Sequence, residues 1–178
     1  KNLSLRLNSI GCRICRPNYR KNLVNYYKSL TLELCRDCRQ RLKKNQLRLL
    51  DCKNENCQEY KKEAPIILDS ACVNCRRHLR KVLEFLEELG LHYEIDNYLV
   101  RGLDYYNKTV FEFFTNIVLE DGQKFNFALA SGGRYDYLME LFGARTNAGV
   151  GGAVGLERLV EVMKATKVNL GFRKKPSV

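Results

Sequence analysis

The chain has 178 residues, of which 45% are hydrophobic and 29% are charged. This length and composition suit one medium or two small soluble globular domains, and they exclude a disordered or fibrous protein. No apolar run approaches the roughly 18 residues that a membrane-spanning helix needs, so we expect no membrane partner. The chain begins at Lys1, and leucines alternate with polar residues after it, unlike a secretory signal. We therefore expect a piece of a longer product.

Positive charge and cysteine are both concentrated in the first half of the chain. The 31 Lys and Arg residues exceed the 20 Asp and Glu residues by 11. Residues 1–90 hold 20 of the basic and 10 of the acidic side chains, which leaves 11 and 10 for residues 91–178. All eight cysteines lie between Cys12 and Cys75. This asymmetry predicts two regions, the first of which meets an anionic partner.

The cysteines form four closely spaced pairs: Cys12 with Cys15, Cys35 with Cys38, Cys52 with Cys57, and Cys72 with Cys75. Such spacing is typical of structural zinc sites, because a short loop lets two thiolates face one tetrahedral ion. Eight thiolates would make two four-cysteine sites, and the four pairs can combine two by two in three ways, which spacing does not decide. The alternatives are a single site, reduced thiols without metal, or disulfides, which require a secreted context.

Helical periodicity surrounds these pairs. Apolar residues recur at helical spacing from Leu23 to Leu30 after Pro17, and again from Leu79 to Leu89, where Gly90 is suited to end the helix. A dense basic run lies between them, made of Arg36, Arg39, Arg41, Lys43, Lys44 and Arg48. A solvated helix face is one interpretation. We favour phosphate contact with a nucleic acid, because residues 1–81 carry 20 basic and only 7 acidic side chains.

Strand patterns dominate after Leu91. Runs of β-branched and aromatic residues predict strands over 98–106, 110–119 and 124–130, and Asp121-Gly122 predicts a hairpin turn between the last two. The expected architecture is α+β, with antiparallel strands and helices behind them.

Three further elements are predicted towards the end of the chain. They are a short helix around 137–142, a glycine-rich strand over 148–154 and a helix over 156–164. The last helix should direct four apolar side chains inward, namely Leu156, Leu159, Val160 and Met163.

Arginines isolated by glycines and strands are the candidate ligand-binding groups of this second region. Arg101, Arg134 and Arg158 would suit an anionic ligand, although Asp104 and Asp136 could instead pair with such arginines. The neighbouring glycines allow a backbone to approach a ligand closely, but tight turns also explain them. No Walker loop or GxGxxG motif follows a strand, which argues against P-loop and Rossmann folds.

Three segments of the second region resemble signatures of histidyl-tRNA synthetases, a class II family. Leu99-Val-Arg-Gly-Leu-Asp-Tyr-Tyr106, followed by Thr109-Val-Phe-Glu112, resembles the first histidine-specific signature, and Ser131-Gly-Gly-Arg-Tyr-Asp136 resembles the second. Gly151-Gly-Ala-Val-Gly-Leu-Glu-Arg-Leu159 is similar to class II motif 3. Segments 7–11, 47–54 and 64–69 resemble the insertion domain of this family, so the resemblance covers nearly the whole chain.

The resemblance implies a division into three parts. Residues 1–10 would be a strand of the catalytic core, residues 11–90 a basic, cysteine-rich, mostly helical insertion domain, and residues 91–178 a segment of the catalytic core. Nothing matches motif 1, motif 2 or an anticodon-binding domain. We therefore expect an internal fragment, inactive alone, of a cytoplasmic homodimeric enzyme.

The resemblance also implies a reaction. Histidine and ATP, which enters with Mg²⁺, would form histidyl-adenylate, and the histidyl group would then pass to tRNA(His). Arg101 would be catalytic, holding the histidine carboxylate and the α-phosphate, because a guanidinium can bridge two oxyanions without losing its proton. The remaining histidine-binding residues would be Tyr105, Tyr106, Gly132, Gly133 and Tyr135. Arg158 and Gly155 would bind ATP.

The insertion domain would contact the acceptor end of the tRNA through Arg36, Arg39, Arg41, Lys43 and Lys44. Zinc would help it to fold, without a part in the chemistry.

Two alternatives compete with a synthetase. One is a regulatory paralogue without aminoacylation activity, which resembles the regulatory subunit of ATP phosphoribosyltransferase; it would need neither a basic insertion nor an intact 101–106 segment. The other is a zinc-stabilised RNA-binding module, which leaves the strands of the second region unexplained.

Overall fold

The computed structural model describes residues 3–119, 122, 124–168 and 171. Its strands are β1 (Leu3–Ser9), β2 (Tyr93–Ile95), β3 (Asn107–Val118), β4 (Lys124–Arg134) and β5 (Val150–Val154). Its α-helices are α1 (Arg16–Ser29), α2 (Arg36–Lys44), α3 (Glu55–Lys61), α4 (Val73–Glu88) and α5 (Leu156–Ala165). Short 3₁₀ turns cover Gln46–Asp51, Ile67–Ser70 and Met139–Phe142.

The five strands form one sheet in the order β2-β1-β3-β4-β5. Neighbouring strands run antiparallel, apart from the short edge strand β2, which is parallel to β1. The predicted α+β class and the β3–β4 hairpin are therefore confirmed. Asp121 of the predicted turn lies outside the described residues, whereas Gly122 has a φ of +83° that suits a tight turn.

The strand predicted over 98–106 is wrong, because this segment is irregular backbone. Its Leu99 carbonyl oxygen accepts a hydrogen bond from the buried side chain of Asn8 (2.9 Å), which also donates to the carbonyl oxygen of the preceding Asn97 (3.1 Å). The segment is thus a loop that Asn8 of β1 holds at Leu99. We call residues 101–106 the signature loop.

The two helices predicted around the cysteines are confirmed as α1 and α4. Pro17 occupies the first turn of α1, where its missing N–H costs no helical hydrogen bond. Gly90 follows the end of α4 with a φ of +66°, a conformation that favours glycine.

The inward face of α5 differs from the prediction. Val162 is buried and Leu159 packs against the same cluster, whose members lie on β3 and β4, whereas Leu156 and Val160 are 68% and 46% exposed. The helix lies on β4 along a face that these two residues do not share. The short helix predicted around 137–142 is present as a 3₁₀ helix over Met139–Phe142.

The cysteine-rich segment has an apolar core of its own. Tyr19, Leu23 and Tyr27 of α1 are at most 1% exposed and pack against Leu34 and Leu49. Separate apolar clusters lie on the sheet. Among the described residues, no helix is both long and apolar enough to span a bilayer.

Candidate active site and cysteine centres

The eight cysteines gather into two groups of four. Within each group the Sγ atoms all lie within 4.8 Å of one another. The first and last pairs meet in the outer centre, made of Cys12, Cys15, Cys72 and Cys75. The middle two pairs meet in the inner centre, made of Cys35, Cys38, Cys52 and Cys57. The structure therefore selects one of the three possible groupings, a nested one.

The sulfur spacing fits a tetrahedral zinc ion. In the outer centre Sγ of Cys12 lies 3.7 Å from that of Cys15 and 3.8 Å from that of Cys72. The inner-centre Sγ atoms of Cys35 and Cys52 are also 3.8 Å apart. A tetrahedron with metal–sulfur bonds of about 2.3 Å has edges of about 3.75 Å. A disulfide would need a sulfur–sulfur distance of about 2.05 Å, so these are thiol clusters suited to metal.

Backbone N–H groups point at the sulfur atoms. The N–H of Cys12 donates to Sγ of Cys15 (3.1 Å), and the N–H of Cys38 donates to Sγ of Cys35 (3.4 Å). Burial raises the pKa of Cys75 in the outer centre. Burial also disfavours the thiolate of Cys12, but hydrogen bonds from the backbone of Cys15 and Ile14 and from the side chains of Cys75 and Cys15 together outweigh it and lower the pKa of Cys12 to about 6. Such hydrogen bonds stabilise the deprotonated sulfur that a metal requires.

Arg101 is held across the sheet by two hydrogen bonds. Its Nη1 donates to Oε1 of Glu112 on β3 (2.7 Å), and its Nη2 donates to Oγ of Ser131 on β4 (2.8 Å). The side chains of Arg101 and Glu112 are only 19% and 22% exposed. Burial raises the pKa of Glu112 above its ordinary value, and Arg101 only partly offsets that rise. Arg101 is therefore fixed in orientation, and its carboxylate partner is Glu112 and not Asp104.

Three tyrosines form a cluster beside Arg101. The ring centroids of Tyr105 and Tyr106 are 4.5 Å apart, and that of Tyr135 lies 5.9 Å and 6.0 Å from them. The guanidinium of Arg101 lies 5.6 Å from the centre of the Tyr106 ring. The sequence-predicted residues Arg101, Tyr105, Tyr106 and Tyr135 are thus neighbours in space.

The signature glycines are required by close packing. A Cβ on Gly132 would lie 2.2 Å from the carbonyl oxygen of Gly151, and one on Gly133 would lie 3.0 Å from the Tyr106 ring. Gly133 therefore borders the tyrosine cluster directly. Gly132 instead allows β4 and β5 to approach each other, and its Cβ would point at Phe111.

Arg134 forms the ion pair that the sequence suggested. Its Nε lies 2.8 Å from Oδ1 of Asp136, whose Oδ2 accepts a hydrogen bond from Asn107 (3.0 Å). Burial alone would raise the pKa of Asp136, but the hydrogen bonds from Arg134 and Asn107 hold it below its ordinary value. This network joins the ends of β3 and β4 and has a structural role.

Arg158 borders a cavity of about 530 Å³ between the cysteine-rich segment and the sheet. Its Nη1 donates to the carbonyl oxygen of Ala128 (3.0 Å). Glu112, the partner of Arg101, lines the same cavity. The Arg101–Glu112 pair and Arg158 therefore lie on the same face of the sheet. Gly155 lies at the N-terminus of α5 and borders the side chain of Arg158.

Sequence reasoning missed Arg6, which also lines this cavity. Its guanidinium lies 3.9 Å from the centre of the Phe114 ring, and its Nε lies 3.6 Å from Glu94. The alternation of Leu5 and Leu7 with polar residues places Arg6 on the opposite face of β1, and this was the available signal.

The basic helix α2 faces the signature loop. Arg41 and Lys44 line a cavity of about 260 Å³ together with Gly102. The adjoining Asn45 donates from Nδ2 to Oδ1 of Asp104 (3.0 Å). Arg36, Arg39, Lys43 and Lys44 are exposed. The predicted nucleic-acid contacts therefore adjoin the predicted catalytic loop.

Comparison with known proteins agrees with this geometry. The family model for histidyl-tRNA synthetase matches residues 20–159. A histidine–tRNA ligase of Acetivibrio thermocellus is 41% identical over 178 residues, which are 100% of this chain and 42% of that protein. A histidine–tRNA ligase of Syntrophotalea carbinolica is 46% identical over 159 residues, 89% of this chain and 37% of that protein.

A solved structure also matches. The crystal structure of apo histidyl-tRNA synthetase from S. aureus superposes with a TM-score of 0.71 at 31% identity, covering 96% of this chain and 40% of that one. The chain thus spans about two fifths of the length of these relatives. Since the family model matches most of the chain, the chain belongs to the histidyl-tRNA synthetase family.

Proposed function

We propose that a full-length protein carrying this chain activates histidine with ATP and transfers it to tRNA(His). The observation that carries the proposal is Arg101, which is held by Glu112 and Ser131 beside three tyrosines. Relatives of the chain bear the name histidine–tRNA ligase. This chain would supply the closing part of the catalytic sheet and the insertion domain.

In the first step the histidine carboxylate attacks the α-phosphate of ATP, and pyrophosphate leaves. Negative charge accumulates on the phosphoryl oxygens, so a fixed cation stabilises the transition state more than the ground state. Arg101 suits this role because its partners already orient it before the substrates bind. The hydroxyl groups of Tyr105, Tyr106 and Tyr135 can donate to or accept from an imidazole.

ATP, with its Mg²⁺, would occupy the cavity that Arg158 and Arg6 border. Guanidinium groups can stack on an adenine ring and pair with phosphate oxygens. Gly155 has no side chain, and a Cβ at this position would lie 3.4 Å from Cδ of Arg158. The glycine therefore leaves space open beside the Arg158 side chain. Two further cations of the cysteine-rich segment, Lys53 and Lys61, face the cavity from the opposite side.

The basic helix α2 would bind the acceptor end of tRNA. Its exposed arginines and lysines would supply phosphate contacts, and the position of Arg41 and Lys44 beside Gly102 would bring the terminal ribose towards the signature loop. The cysteine centres would each hold one structural zinc ion. Zinc would stabilise the platform that carries α2, and the reaction itself would proceed without it.

ATP–pyrophosphate exchange on the full-length protein tests this proposal. Exchange should require histidine and fail with each other amino acid supplied singly. Arg101→Ala should lower the histidine-dependent rate by at least 10²–10³, roughly the effect of removing one transition-state donor. The exposed Arg145 offers a matched control, and Arg145→Ala should leave the rate unchanged.

The result that would overturn the proposal is equally clear. A folded full-length protein without exchange for any amino acid would instead favour a regulatory paralogue. The isolated 178-residue chain should show negligible exchange, since nothing in its sequence matches motif 2, which in this family contributes another α-phosphate arginine.

A further inference from the structure

Arg16 connects the outer cysteine centre to the signature loop. It directly follows Cys15 and begins α1. We infer that Arg16 is a positioning residue for the histidine pocket, transmitting the geometry of the outer centre to Tyr105 and Tyr106. This inference rests on the proposed function, because it concerns the pocket in which histidine would be activated.

Four backbone carbonyl oxygens surround the guanidinium of Arg16. Nε donates to Ile10 (3.2 Å) and Nη2 to Gly11 (3.3 Å), at the exit from β1. Nη2 also donates to Tyr106 (2.5 Å), and Nη1 donates to Asp104 (3.4 Å), 88 to 90 residues further along the chain. One half-buried side chain therefore fastens the start of the cysteine-rich segment to the signature loop.

A guanidinium suits this task because its donors form a rigid, planar fork that can serve several acceptors at once. Arg16 is itself fixed by the outer centre. Its backbone N–H donates to the carbonyl oxygen of Cys12 (3.0 Å), and its neighbour Cys15 has its Sγ 3.7 Å from that of Cys75. Metal binding at the outer centre would thus fix the backbone of Arg16, from which the guanidinium side chain extends.

The segment between β1 and Cys12 leaves little room for the centre to shift. Gly11 has a φ of +70°, and a Cβ there would lie 2.9 Å from Sγ of Cys15. The N–H of Lys108 donates to the carbonyl oxygen of Gly11 (2.8 Å), which also accepts from Arg16. The start of β3 and the outer centre are therefore held to the same short segment.

The hydrogen bond to Tyr106 is the link to the pocket. Its carbonyl group accepts from Arg16, while its ring is buried against Val110 and the Tyr105 ring. Loss of the guanidinium would remove the hydrogen bonds to the carbonyl oxygens of Asp104 and Tyr106, which flank and include the two signature tyrosines. Arg158 of α5 and Arg6 of β1, the proposed ATP-binding arginines, have no hydrogen bond to Arg16 among the described residues, so the effect should be selective for histidine.

Steady-state exchange kinetics on the full-length protein provide the test. The variants are Arg16→Ala, Arg16→Lys and the control Lys21→Ala, which removes an exposed cation from the same helix. Arg16→Ala should raise KM for histidine about tenfold or more, the size expected for the loss of hydrogen bonds to a charged group. KM for ATP should change less than twofold. Arg16→Lys should recover part of the loss, because an ammonium can donate to up to three carbonyls.

Zinc content and circular dichroism accompany each variant. Retention of both zinc ions with a selective rise in KM for histidine supports the inference. If Arg16→Ala does not fold, Arg16→Lys decides, and an unchanged KM for histidine in that folded variant overturns the inference. Equal rises in KM for both substrates would also overturn it, since they indicate a structural role alone.

Failure of the proposed function is distinguishable from failure of this inference. If the proposed function is wrong, the unsubstituted protein itself shows no histidine-dependent exchange, and the positioning role is refuted as well. If the unsubstituted protein and Lys21→Ala are active while the Arg16 variants match them in every parameter, only the inference is refuted.

Discussion

Removal of the proposed zinc ions should unfold about half of the helical structure of this chain. The inner centre is enclosed by the apolar core of the cysteine-rich segment, where Cys38 and Cys57 are each 1% exposed. A structural zinc contributes about 10–16 kcal/mol of apparent binding free energy, while a whole domain has a stability of about 5–15 kcal/mol. Losing the ion from this centre therefore outweighs what the surrounding side chains contribute.

Metal analysis and X-ray absorption give the first readout. The purified chain should contain two zinc ions, each with four sulfur neighbours at about 2.3 Å, the bond length that the observed sulfur spacing implies. With a strong chelator, the helical ellipticity should fall by about half, because α1, α2 and α3 supply about half of the described α-helical residues.

Single substitutions separate the two centres. Cys38→Ser and Cys75→Ser are matched changes, since both residues are 1% exposed, and each should reduce the zinc content from two ions to one. Cys38→Ser should also unfold α2 and α3, which the inner centre joins, whereas Cys75→Ser should spare them. A chain that purifies without zinc and keeps its ellipticity in chelator would refute this reasoning.

Three further predictions concern the sheet and the basic helix. Gly132→Ala should lower the free energy of unfolding in urea by about 3 kcal/mol, because its Cβ would lie 2.2 Å from a backbone oxygen; Gly102→Ala, with nothing within 4 Å, is the control, and equal effects would contradict the packing argument. Asp136 has a lowered pKa in the folded state, so its contribution to stability is present above its unfolded pKa of about 3.9 and is lost as the pH falls through the lower folded value. Urea midpoints measured across that acidic range should accordingly depend less on pH in Asp136→Asn, and an unaltered profile would count against the network. Replacing both Arg36 and Arg39 by alanine in the full-length protein should reduce the salt dependence of tRNA binding by about one unit of slope for each phosphate that is no longer neutralised, while Arg145→Ala should retain it; an unchanged slope would remove α2 from the interface.

Several elements of the structure could be predicted from local sequence patterns alone. The four cysteine pairs, the helices α1 and α4 and the hairpin of β3 and β4 follow from spacing and periodicity over a few residues, and all are present in the structure. Each of these elements is determined by interactions between residues close together in the chain, which short sequence patterns reveal directly.

The segment 98–106 shows where local reasoning failed. Its residue types suit a strand, but the carbonyl oxygen of Leu99 accepts a hydrogen bond from the side chain of Asn8, 91 residues earlier, instead of joining a strand ladder. The same holds for Arg101, whose partner is Glu112 on β3 and not the nearby Asp104, which bonds to Asn45.

Residue order alone was enough to identify thiol pairs suited to zinc, a basic first half, and arginines and tyrosines that occur in the order of the histidyl-tRNA synthetase signatures. The three-dimensional structure was needed to show that the outer pairs enclose the inner ones, that Arg6 and Arg158 line one cavity, and that Arg16 binds the signature loop. These interactions bring together residues that lie 17 to 152 positions apart in the chain, and contacts of that range depend on the path of the chain through the sheet.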